Sequence, residues 1–349
     1  MAQAGPKPAT ILDVAARAGV SKSAASLALR GTGYVSEARR RAILDAAAEL
    51  GYRPNAAARA MGSARSGTVG VILDDLRNPW FVPAVEGLTE GLHAAGLHAL
   101  LGDWRLEGAE LAERFLELRV EALVLVGTLD GAETAFAEIA PLPGGMPVPV
   151  VQVGAPHAQV LGAAVVTNDD AEGARRVVRH LAALGHRRIA HLSAPGTEVG
   201  DARRAGFEDA CQILGIESQT VEAGRTEEAG WRAAHEALNA SPRPTALFAV
   251  NDMAAFGALS AADDLGLRVP EDLSLAGYDD TPAARLKAVG LTSVDNASRE
   301  AGRVAADLLA ARLAHPGSPR GTYDDREPPA VVLLPPELKV RTSTAPPPS

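Results

Sequence analysis

Residues 10–31, TILDVAARAGVSKSAASLALRG, decide how the amino-terminal part of this chain is read. Thr10 stands three residues before Asp13, the spacing at which a hydroxyl and a carboxylate cap a helix reciprocally, and Val14 and Ala18 continue at helical spacing. Gly19 and Val20 supply a tight turn, after which Ser21 is placed to cap a second helix. On that helix Ala25, Ala28 and Leu29 form an apolar side, while Lys22, Ser23, Ser26 and Arg30 stay polar. The pattern predicts helix, turn and helix.

Ser36 starts a third helix through EARRRAILDAAAEL, with Ile43, Ala46, Ala47 and Leu50 facing inward and Gly51 as the stop. Three small helices can close a core. Residues 52–67, YRPNAAARAMGSARSG, then hold a proline that breaks register and an alanine-rich segment too short to be a stable helix alone in water. Such a segment can fold on contact with a partner. Up to Arg65 there are ten Lys and Arg against four acids, a net +6, so the rest of the chain carries −15 of the total −9. The cationic field therefore sits on the end suited to phosphates, although the average composition is acidic.

The order VAARAGVS, ALRG, VSEARRR, ELGYRPNAAARAM and TVGVILDDLRNPWF, continuing to LLPPELKVRTST, resembles the lactose/galactose repressor (LacI/GalR) family of bacterial transcription regulators over residues 9–344. The resemblance implies a helix-turn-helix headpiece over residues 1–54, a hinge helix and linker over 55–66, and a two-lobed α/β effector and dimerisation domain over 67–344. Residues 345–349, APPPS, read as a disordered tail.

The body supports that division on its own pattern. Strand-like runs TVGVIL, HALLG, ALVLVG, VPVVQVG, AAVVTN, RIAHLS, QTVEAG, ALFAVN and LSLAGY are separated by amphipathic stretches such as VEGLTEGLHAAG and AEGARRVVRHLAALG. Two such series, about 67–166 and 168–293, predict two similar lobes with largely parallel sheets, and a helix over 298–313 predicts a return to the first lobe. The segment 315–330, HPGSPRGTYDDREPPA, reads as a surface loop.

The resemblance implies a fold like the periplasmic sugar-binding proteins, with a ligand between the lobes. Parallel α/β sheets independently place their carboxyl-end loops at a shared crevice. The expected effector residues stand at such ends: Asp74, Asp75, Trp80 and Phe81 in the first lobe, and Arg203, Asn251 and Asp279 in the second. The last three match family effector positions through RxxGF, the VND segment and GYDD. Carboxylates accept from vicinal hydroxyls, an arginine donates to neighbouring oxygens and an aromatic ring covers the C–H face of a sugar, so a neutral saccharide is the expected ligand. Arg203 pairing with a cleft carboxylate, Trp80 or Phe81 packing under the lobe, and Asp252 capping a helix are the structural readings beside it.

As a homodimer the chain would present Lys22 to Arg30 to successive major grooves of a pseudo-palindromic operator. The expected DNA-binding residues are Thr10, Ser21, Lys22, Ser23, Ser26, Arg30 and Arg39, with Arg39 to Arg41 at phosphates. From the hinge, Asn55, Arg59 and Met61 join them, Met61 as a minor-groove wedge. Ala24, Ala25, Leu27 and Arg30 depart from the family's usual recognition helix, which makes Lys22 and Ser23 the favoured base readers.

Other chemistry lacks support. The eight histidines show no compact ligand spacing, and no metal, cofactor or catalytic residue is expected. The single Cys211 reads as a buried thiol. No apolar run reaches membrane-spanning length and MAQAGPKPAT lacks the apolar core of a secretory signal, so the expected location is the cytoplasm and the expected partners are DNA, a saccharide and a second copy. A regulator with a non-sugar effector or a protein-controlled cleft is the alternative, and an α/β enzyme with a DNA-binding head ranks last.

Overall fold

The computed structural model describes residues 9–31, 33–52, 66–129, 131–137, 148–154, 163–314 and 331–348. The chain divides into two compact units, Met1–Ser66 and Gly67–Ser349. In the first, helices α1 (Ile11–Arg17), α2 (Lys22–Arg30) and α3 (Glu37–Glu49) enclose Val14, Ala15, Ala25, Ala28, Ile43, Ala46 and Ala47. Thr10 and Asp13 form the reciprocal cap of α1, with Thr10 N donating to Asp13 Oδ2 at 2.8 Å. Ser21 Oγ accepts from Ala24 N at 3.2 Å and starts α2. Leu50, expected to face inward, is 37% exposed, because α3 ends at Glu49 and Tyr52 packs against the core beyond it.

The second unit begins with β1 (Thr68–Leu73), α4 (Phe81–Ala94), β2 (His98–Asp103), α5 (Trp104–Glu107), α6 (Ala109–Glu117), β3 (Ala122–Val126), α7 (Ala132–Ala137), β4 (Val150–Val153) and β5 (Ala164–Asn168). Next come α8 (Asp170–Ala183), β6 (Arg188–Ser193), α9 (Glu198–Leu214), β7 (Glu217–Glu222), α10 (Glu227–Leu238), β8 (Ala246–Ala249), α11 (Asp252–Asp264), β9 (Ser274–Tyr278) and β10 (Thr292–Asp295). The chain then forms α12 (Ser298–Ala314), β11 (Val331–Leu334) and β12 (Glu337–Lys339).

Two six-stranded sheets result, ordered β2-β1-β3-β4-β5-β11 and β7-β6-β8-β9-β10-β12, and every pairing is parallel except β10 with β12. The two orders correspond strand for strand. The chain passes between lobes three times, after β5, after β10 and after β11. Runs such as ALVLV in β3 are buried at every position, as expected when helices cover both faces of a parallel sheet. Val71, Leu73 and Val124 pack on one face of the first sheet, and Ile72, Leu123 and Phe115 pack on the other.

Helix α12 returns to the first lobe and lies on α4, where its Ala301, Ala305 and Leu309 join Leu88 and Leu92 in the core. A Cβ added at Gly302 would stand 1.9 Å from Ala84 O, so the two backbones touch at a distance no other residue permits.

The chain end corrects the expected disordered tail. Ser343 N donates to Gly290 O at 3.0 Å, and Ala345 N donates to Ser274 Oγ at 3.0 Å. Ala345 O accepts from Ser274 Oγ and from His186 Nε2, both at 2.9 Å, and Pro347 lies against Gly185. These bonds at Ala345 and the contact of Pro347 hold the segment against the second lobe despite its loop-like composition. The segment 315–330 lies outside the described residues.

Candidate functional site

Helix α2 leaves Lys22 and Ser23 exposed and Ser26 half-buried, while Ala25 and Ala28 turn into the core. Thr10 and Ser21 are exposed at the starts of α1 and α2 and serve as their caps. Arg39 and Arg41 are exposed on α3. Arg40, grouped with them at phosphates, instead donates from Nη1 to Ala28 O at 3.3 Å and so satisfies a carbonyl in the last turn of α2. Arg17 and Glu49 pair at 2.6 Å and join α1 to α3. The side chain of Arg30 and the expected hinge residues Asn55, Arg59 and Met61 lie outside the described residues. Tyr34, in the turn between α2 and α3, is 96% exposed.

Between the lobes lies a small cavity of about 50 Å3, partly open to solvent. Asp74, Asn78, Trp80, Phe81, Thr128 and Asn168 line it from the first lobe, and Val199, Arg203, Arg225, Asn251, Asp279 and Asn296 from the second. Nearly all follow the carboxyl end of a strand, at the crevice expected of doubly wound sheets. Trp80 and Phe81 meet edge to face with centroids 5.1 Å apart, and Gly154 lies against the Trp80 ring.

Arg203 is the strut of the second lobe. Its Nε donates to Asp170 Oδ1 at 2.7 Å, Nη1 to Val250 O at 2.6 Å and Nη2 to Asp279 Oδ1 at 3.4 Å, while the guanidinium carbon lies 3.6 Å from the Tyr278 ring centre. Burial opposes its charge, but attraction to Asp170 and Asp279 prevails and raises its pKa further. Tyr278 Oη in turn accepts from Asn168 Nδ2 at 3.0 Å. Gly173 makes room for that phenol, since a Cβ there would stand 2.2 Å from the oxygen.

Asp279 and Asp280 both have positive φ, 102° and 47°, which is costly for residues with a side chain. The turn is held by Asp279 N to Val294 O at 2.8 Å, Asp280 N to Ser293 Oγ at 3.0 Å and Arg341 Nη2 to Asp280 Oδ1 at 2.6 Å. Asn296 Nδ2 donates to Asp279 Oδ1 at 3.1 Å. Burial pushes the Asp279 carboxyl up to about 8, ahead of the opposing pull of Arg203. Below this floor His191 stacks on Phe248, and burial lowers it to about 4, so it is neutral near pH 7.

The geometry separates the expected residues. Asp74, Trp80, Phe81, Arg203, Asn251 and Asp279 line the cavity, but Asp75 does not. It is bound by Arg77, whose Nε donates to Asp75 Oδ1 at 2.9 Å, and that hydrogen bond holds its pKa down at about 2. Asp252 is not the cap of α11. Asn251 Oδ1 takes that part, accepting from Ala254 N at 2.9 Å, while Asp252 accepts from Ser293 and Thr281 and is pushed by burial to about 6. Thr128, Asn168, Val199, Arg225 and Asn296 were missed. The strand-end rule that found the others reaches most of them too.

Among the described residues no group of three His, Cys, Asp or Glu is placed to hold a metal, and no helix is long and apolar enough to cross a membrane. Cys211 is buried, which raises its thiol to about 12.

A three-helix headpiece on a two-lobed α/β body with a lined interlobe cavity is the architecture of a ligand-responsive DNA-binding regulator. The profile for bacterial regulatory proteins of the lacI family matches residues 10–55, and that for a periplasmic binding protein-like domain matches residues 178–344. The HTH-type transcriptional regulator DegA of Bacillus subtilis is 30% identical, the alignment covering 97% of this chain and 98% of DegA. The chain belongs to the LacI family of bacterial transcriptional regulators. Among solved structures, a lac repressor dimer bound to operator and the anti-inducer ONPF superposes with a TM-score of 0.81 at 27% identity, over 97% of this chain and all of that one. A complex of the regulator CelR with cellobiose superposes with a TM-score of 0.67 at 28% identity, over 96% and 99%.

Proposed function

We propose that this DNA-binding regulator is a cytoplasmic repressor that holds a pseudo-palindromic operator as a homodimer and is controlled by a saccharide in the interlobe cavity. The carrying observation is the mixed, incompletely satisfied polarity of that cavity. Among the described residues Trp80 Nε1, a donor, and Asn296 Oδ1, an acceptor, are both buried without a hydrogen-bond partner, and both residues line the space. A hydroxyl both donates and accepts, so a polyol satisfies the two kinds of group that an apolar ligand would strand. The Trp80 and Phe81 rings supply the apolar wall that the C–H face of a sugar requires. The cellobiose-bound neighbour supports the ligand class, and the operator-bound lac repressor dimer supports the DNA reading.

In this reading exposed Lys22 and Ser23 on α2 read bases, while Thr10, Ser21, Ser26, Arg30 and Arg39 meet the groove and phosphates. Asn55, Arg59 and Met61 belong to the hinge that enters the minor groove. Effector binding shifts DNA affinity by its differential affinity for the two lobe arrangements, about 1–3 kcal/mol, or roughly 5- to 150-fold. The test is selection of bound sequences from a random double-stranded pool, with and without a panel of sugars. One palindrome whose recovery changes with one sugar is expected. A palindrome indifferent to every sugar refutes the ligand class, and no enrichment refutes operator binding.

A further inference from the structure

Arg225 Nη1 donates to Asp74 Oδ2 at 3.1 Å. Asp74 follows β1 in the first lobe and Arg225 follows β7 in the second, so the pair spans the cavity that both residues line. Each end is fixed within its own lobe. Arg225 O accepts from Asn251 Nδ2 at 3.1 Å, and the other end of Asn251 caps α11. Asp74 N donates to Val126 O at 3.0 Å, and Asp74 O accepts from Arg105 N at 3.3 Å. The bridge thus joins two anchored backbones, and lobe separation would break it.

Arg225 differs from Arg203 in what it has left to give. All three guanidinium nitrogens of Arg203 are bonded to protein. Arg225 is 44% exposed, and among the described residues its Nε and Nη2 make no hydrogen bond. That free edge is the geometry with which arginine donates to two adjacent oxygens.

We infer that the Arg225–Asp74 pair is an interlobe latch that holds the two lobes together across the cleft and keeps the free edge of Arg225 for vicinal oxygens of the effector. The latch rests on the cleft being the effector site, but its test needs neither effector nor DNA. Trp80 is a built-in reporter, since it is 8% exposed in the cavity wall. In a background with Trp104→Phe and Trp231→Phe, the remaining tryptophan reports access of acrylamide to the cleft.

The partly exposed pair is worth a modest amount, so Asp74→Asn and Arg225→Gln should each raise the bimolecular quenching constant of Trp80 about two- to fivefold. In 1 M NaCl, where the screening length is about 3 Å, the parent should move toward the variants. The double exchange Asp74→Arg with Arg225→Asp should restore protection. Equal quenching in the parent and both single variants overturns the latch, as does a double exchange as open as the singles. Adding cellobiose or D-ribose separates the two readings. Failure of every sugar to protect Trp80 counts against the saccharide effector, whereas the latch stands or falls on the ligand-free data.

Discussion

Replacing Arg203 by Met keeps most of the side-chain volume and removes three hydrogen bonds. The carboxylate of Asp170, 2.7 Å from Nε, loses its counter-ion where its side chain is 2% exposed. Breaking one partner of so buried a pair costs about 3–5 kcal/mol, because the remaining charge is neither solvated nor paired. At roughly 2–4 °C per kcal/mol for a domain of this size, the body should melt roughly 6–20 °C lower. Calorimetry and urea unfolding of the full chain measure this directly.

The loss should also depend on pH. Asp279 already holds its proton to about pH 8, so its charge is largely absent at pH 5 in either protein. Without Arg203 the Asp279 carboxyl loses the pull that opposes burial and keeps its proton to still higher pH, so the gap between variant and parent should be widest above pH 8 and narrow as pH falls below it. Adding Asp170→Asn to the Met variant should recover part of the loss at pH 8. A destabilisation under about 1 kcal/mol, or a gap independent of pH, would refute the strut. The consequence for function is practical: a lost ligand response after truncating Arg203 would report a weakened lobe as readily as a lost contact.

His191 should make the body acid-sensitive: its folded pKa of about 4 lies below the unfolded value of 6.5, so this contribution is complete above pH 6.5 and is lost as pH falls towards 4. The shift corresponds to about 3 kcal/mol, and pH-dependent urea unfolding of His191→Phe should show a flatter acid limb by that order, whereas an identical limb would count against it. Gly302→Ala should force α12 and α4 apart and cost about 1–3 kcal/mol in the same assay, with an unchanged midpoint as the contrary result. Lys22→Ala should relax preference at one base pair of each half-site by about 1–3 kcal/mol in competition binding, and equal discrimination would remove it from base reading.

The headpiece was legible because its determinants are local. A threonine three residues from an aspartate, a serine before Lys22 and alanines at helical spacing each act within one turn, and each has its expected place in the structure. Arg40 was not legible in this way, since its bond to Ala28 O depends on how α3 lies across α2. In the body the apolar runs announced most strands. Strand β10, TSVD, escaped because its four residues include two hydroxyls and a carboxylate, and Thr292 and Ser293 are buried through bonds to the returning carboxyl-terminal segment and to Asp252.

Position after a strand selects loops that can reach the crevice, but it does not fix which side chain turns inward. Asp74 and Asp75 are adjacent and chemically alike, yet an arginine two residues on claims Asp75, while a residue 151 positions away claims Asp74. The first choice is a local competition that the sequence LDDLRN contains but did not resolve. The second exists only once two lobes have folded and met. The same reasoning divides the two cleft arginines: Arg203 carries the family motif but is consumed by its own lobe, whereas Arg225 carries no motif and retains donors toward the cavity. Sequence motifs here therefore locate the frame of the site, while the unspent hydrogen-bonding capacity of Arg225 lies where the two lobes meet.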